Sequence, residues 1–85
     1  MTNLIDMKKK IDEMDAEYSE LCEAIATVSD ERVAAIMAAG KVFGVAPEAN
    51  RRASELNKKR EELYAQLIKA REQYAIASFE EAQNG

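Results

Sequence analysis

One series of apolar residues opens the chain: Leu4, Met7, Ile11, Met14, Tyr18, Leu21, Ile25 and Val28, separated alternately by three and four positions. Such spacing keeps every member on one narrow stripe of a helix and predicts an arm packed along a seam. Thr2 or Asn3 can cap its start. Ser29-Asp30-Glu31 resembles a fresh N-cap followed by acids, which would break the arm there. Helical geometry favours continuity. At about 100° per residue Ile36 returns to within roughly 20° of Ile25, and Val33 and Ala39 fall in the same broad band. Gly40 then offers a left-handed terminator.

Beyond the loop, Pro47 suits a first helical position and Glu48 the positive end of a helix dipole. Leu56, Leu63, Leu67 and Tyr74, with Ala49, Ala53, Ala70 and Ala77 between them, form a second seam reaching about Ala82. The expected organisation is one unit over residues 1–85, with a helix over about 3–39, a loop over about 40–46 and a helix over about 47–82. Two arms of nearly equal length joined by a short loop make an antiparallel, coiled-coil-like hairpin, and the fold class is all-α. A hairpin turning near residue 43 sets residue n opposite residue 86 − n. Asp15 and Glu17 then meet Lys69 and Arg71, Lys8, Lys9 and Lys10 approach Glu80 and Glu81, and Glu23 approaches Lys59 and Arg60. Arg51 and Arg52 are left without opposite acids. Arg60, on the seam, is a register determinant.

The second arm carries more apolar surface than one neighbour can cover. Tyr64, Ile68, Ala75, Phe79 and Ala82 lie on a stripe rotated roughly 60–120° from the Leu67 seam. A homodimer is therefore expected, two hairpins forming a four-helix bundle with this stripe in the interface.

Composition agrees with long helices: 33% of residues are charged, and the 85 residues include one Pro, three Gly and no Trp. The net charge of −4 is unevenly spread, at −6 over residues 1–31, +5 over 32–60 and −3 over 61–85. That balance argues against a simple DNA binder, which needs a surplus of cations facing phosphate. The run VAAIMAAG is too short to span a bilayer, so no membrane partner is expected and the cytoplasm is the expected location. Cys22, the single cysteine, permits no intrachain disulfide and reads as an edge-of-core residue.

Candidate chemistry is sparse. The stretch AAIMAAGKVFGVAPE, Ala34 to Glu48, is poor in charge, but Gly40-Lys41-Val42-Phe43-Gly44 lacks the glycine order and strand–helix setting of a phosphate loop. Val42, Phe43 and Val45 either plug the end of the bundle or, with Met37, form a docking tip. Asp12, Glu13, Asp15, Glu17 and Glu20 read as a solvated face, because bundle metal sites point inward and usually include histidine, which this chain lacks. No catalytic, cofactor or metal residue is assigned, and the chain is not expected to be an enzyme. Arg51, Arg52, Lys58 and Lys59 form a positive patch suited to an acidic protein surface, with nucleic acid as the alternative.

Two short stretches resemble known families. MKKKIDEMDAEY, Met7 to Tyr18, resembles the opening helix of the all-helical chorismate mutases, dimers of three-helix chains that hold a dianionic substrate between arginines and lysines. PEANRRASEL is similar to their second-helix stretch. Lys8 and Ile25 stand where that family has arginines, and the second arm shows no break that would begin a third helix. ERVAAIMAAGKVFGVAPE resembles the end of the oligomerisation region of histone-like nucleoid-structuring proteins, whose Gly-, Arg- and Trp-rich DNA-binding tail has no counterpart here; that resemblance implies an interaction-only partner. The functional expectation is a small helical adaptor, regulator or inhibitor, of the kind phages and mobile elements encode, acting by binding another protein.

Overall fold

The computed structural model describes residues 3–41, 44 and 46–84. Two α-helices account for almost all of them: α1, Leu4–Ala39, and α2, Pro47–Asn84, packed against each other. Asn3 caps α1, its side-chain oxygen accepting from the Ile5 N–H at 2.9 Å. The helix runs through Ser29 without interruption and ends where Gly40 turns left-handed (φ 69°), the Gly40 N–H closing on the Ile36 carbonyl at 2.9 Å. A Cβ added at Gly40 would meet nothing within 4 Å, so only backbone strain opposes a side chain there. Gly40→Ala should accordingly lower stability by about 1 kcal/mol and no more, read as a lower urea midpoint with unchanged slope.

The start of α2 departs from sequence expectation at one residue. Pro47 takes the first helical position, but Ala46 before it has φ 52°, a region that alanine and residues preceding proline both avoid. Its carbonyl accepts from the Asn50 N–H at 3.0 Å, so the strained residue still begins the helical ladder.

The core is a seam rather than a centre. The molecule measures 65 × 15 × 15 Å, two helices thick, and its buried residues are Ile11, Val28, Ala49, Leu63 and Leu67. Met14, Tyr18, Leu21, Ala70 and Tyr74 flank the Ile11–Leu63–Leu67 cluster. Every member of the two expected seams through Val28 and from Ala49 to Ala77 is buried or half-buried. Beyond Val28 the stripe drifts: Ala35 and Ile36 stay half-buried, whereas Val33 and Ala39 are exposed. At about 100° per residue Val33 lies about 80° from Ile25 and about 140° from Val28, beside the seam rather than on it, and Ala39 is the last residue of the helix.

Register is visible in two cross-helix contacts. The Arg71 guanidinium donates to Asp15 Oδ1 at 2.5 Å, a pair that falls on the 86 − n rule. Tyr18 and Tyr64 lie with ring centroids 6.0 Å apart, tilted by 40°. Two other expected cations take closer partners, and among the described residues Lys9, Lys10, Glu17, Glu23, Lys59 and Lys69 form no ion pair. Lys8 reaches Asp12 on its own helix at 2.9 Å instead of Glu80 or Glu81, and Arg60 donates to Asn57 Oδ1 at 2.9 Å instead of meeting Glu23. An i, i+4 or i, i+3 neighbour on the same helix is within reach without any dependence on helix–helix spacing. α2 extends without a break to Asn84, two residues past the expected end, so the third helix of the mutase resemblance does not form.

Candidate functional site

The last two turns of α1 form an uncharged apolar end. Met37 is 77% exposed, and Val33, one turn earlier on the same face, is also exposed. With Ala34 and Ala38, likewise exposed, they bring apolar side chains up to the Gly40 turn with no charge between Arg32 and Lys41. Val42, Phe43 and Val45, the other expected tip residues, lie outside the described residues.

The basic patch is less free than the sequence implies. Arg51 donates to Glu48 Oε2 and Arg52 to Glu31 Oε2, both at 2.7 Å. The expectation that these arginines lack acids is corrected on both counts: Glu48 sits one turn before Arg51, and Glu31 lies across the hairpin, one turn from the position that 86 − n gives for Arg52. All four side chains keep about half their surface or more, so each pair is worth roughly 0–1 kcal/mol and fixes geometry more than stability. Lys58 and Lys59 are exposed and form no ion pair among the described residues. Two of the four cations thus stand without an acid beside them among the described residues.

The second apolar stripe stands uncovered. Tyr64, Ile68, Ala75, Phe79 and Ala82 are all exposed, Phe79 at 65% and Ile68 at 42%. Ile76 is exposed as well; its position, a helical quarter-turn outside the stripe, is what the 3-and-4 spacing rule passes over. On the opposite flank of the seam, Met7, Met14 and Ala70 line a shallow groove edged by Lys10, Lys69 and Gln73, which no single-helix pattern reveals because both helices build it.

Titratable chemistry is confined to the surface. The Asp12 carboxylate, first by its hydrogen bond and then by its charge, holds the Lys8 ammonium protonated above the ordinary lysine range. A raised amine pKa adds stability below the unfolded-state value and loses it as alkali titrates the folded form. Cys22 is half-buried at the seam's edge and unpaired. Among the described residues no group of three or more His, Cys, Asp or Glu is placed to hold a metal ion, and no helix is long and apolar enough to cross a membrane. No known protein family matches the chain, and neither a curated protein nor a solved structure is significantly similar to it.

Proposed function

We propose that the chain is a non-catalytic protein–protein interaction module, a helical hairpin that pairs with a second copy as a four-helix bundle and presents its loop end to another protein in the cytoplasm. The observation that supports this reading best is the exposure of Met37 beside Val33 at the rigidly capped end of α1, an apolar patch that the hairpin itself does not cover. Methionine suits such a role, being unbranched and polarizable enough to fit an irregular apolar pocket. Lys58 and Lys59, about three turns along α2 from the loop, add cations that steer an acidic partner surface.

Capture of interacting proteins from lysate, identified by mass spectrometry, tests the proposal. One partner should be retained by the native chain and lost with Met37→Glu, while helicity and melting temperature stay unchanged because Met37 touches solvent rather than the seam. Retention of that partner by Met37→Glu would overturn the tip as the docking surface. A duplex or single-stranded probe shifted by the chain, with a steep salt dependence, would instead favour nucleic acid.

A further inference from the structure

The exposed stripe of α2 and the distribution of charge along the same helix lead to one arrangement of the second copy. Residues 47–60 carry five cations against two acids, and residues 61–84 carry five acids against two cations. Two such helices lying side by side repel when parallel, because Lys58, Lys59 and Arg60 then face their own copies and Glu80 and Glu81 face theirs. Antiparallel, Lys58, Lys59 and Arg60 come within about a turn of the other copy's Glu80 and Glu81, while Arg51 and Arg52 extend past its end and Glu62 lies opposite Glu81.

The stripe fixes the register. Centring its Tyr64–Phe79 part between Arg71 and Glu72 puts Tyr64 against Phe79 of the second copy and Ile68 against Ala75, large beside large and large beside small, with Ala82 opposite Glu61. The same centre places Arg71 of each copy beside Glu72 of the other. Glu72 is exposed and makes no ion pair within the hairpin among the described residues, and Arg71 keeps 53% of its side chain exposed while bound to Asp15. A thin seam gives the dimer its motive: a stable interface covers about 800 Å² per partner, roughly an eighth of the hairpin's 6578 Å².

We infer that the chain pairs through α2 with a second copy in antiparallel register, on a two-fold axis between Arg71 and Glu72, and so forms a double-ended connector. This rests on the self-association proposed above. Residue 47 lies about 24 residues from the axis, so the two apolar tips face opposite ways, about 70 Å apart. A module built in this way joins two partner molecules rather than clamping one, and gains avidity from partners that are themselves multivalent.

Spin labels on the full chain, in a Cys22→Ser background, decide it. Single cysteines replacing Lys58, Ala65 and Gln83, all exposed, should give inter-subunit distances of about 40, 20 and 35 Å, because each residue away from the axis adds about 3 Å. Sedimentation should give twice the 9.5 kDa chain mass, and Glu72→Lys should weaken association about tenfold. Similar distances at all three sites mean a parallel pair, and short distances from labels on α1 mean a different face; either overturns the antiparallel axis and leaves self-association standing. A 9.5 kDa species at micromolar concentration overturns both.

Discussion

Leu67→Ala is expected to lower the stability of the hairpin by about 2–3 kcal/mol, measured as a fall in the urea midpoint at fixed chain concentration. Leu67 is the most deeply buried side chain among the described residues, 1% exposed, and clusters with Ile11 and Leu63 where the two arms pack. Large-to-small changes in closed cores cost about 2–5 kcal/mol. The lower half applies here because the seam is two helices thick and water can enter the space the side chain leaves. The loss is still a large fraction of the whole, since a chain of 85 residues has a total of only about 4–13 kcal/mol to lose. Ile68→Ala is the matching control. Ile68 follows directly in sequence but points outward, so its truncation should leave the hairpin's own stability within about 0.5 kcal/mol and act on association instead. A loss at Ile68 that shrinks on dilution would come from association, and one that persists in the dissociated chain would mean that Ile68 lies in the hairpin's own seam.

That contrast between neighbours shows where sequence was a sufficient guide. The seam from Leu4 to Val28 was legible because a heptad repeat states its own geometry, and Gly40, Asn3 and Pro47 were legible because each answers a local backbone need that few other residues meet. Asp15 and Arg71 met as the register required, an exposed pair across the two arms. Competition among partners was not legible. Lys8, Arg51 and Arg60 each had an acid or amide within one turn of their own helix, and that nearer group won. Positive φ at Ala46 carried no signal either, since a strained alanine is set by how the loop must enter α2 rather than by its own preference. Of the candidate surfaces, the α2 stripe could be read as uncovered from spacing alone, whereas Met37 was legible only as part of a charge-poor end that either plugs the bundle or docks a partner. The Met7–Met14–Ala70 groove could not, because it exists only once both helices stand side by side.

Continuity of α1 through Ser29 is what joins the seam to the tip, and a proline places it under test. Asp30→Pro is expected to destabilise the hairpin by about 3 kcal/mol or more, with a matching loss of helicity by circular dichroism beyond residue 30. In an unbroken helix the Asp30 N–H is committed to the carbonyl of Ala26, and a pyrrolidine ring both removes that donor and collides with that carbonyl. Were the helix instead to restart with Ser29 as its cap, residue 30 would occupy the first helical position, where proline is favoured, and the same change would be nearly neutral. Asp30→Ala separates backbone from side chain: Asp30 is exposed and has no ion pair among the described residues, so alanine there should be neutral or slightly stabilising. The distinction bears on function. Past Val28, Ala35 and Ile36 stay half-buried and Glu31 binds Arg52 across the hairpin, so the last turns holding Val33 and Met37 are positioned both by these contacts and by continuity with residues 4–28. Asp30→Pro should therefore abolish partner capture as fully as Met37→Glu does, although residue 30 lies about 10 Å along the helix from Met37. Capture surviving the proline would mean that the tip binds as a free segment and that the long arm serves only to bring two copies together.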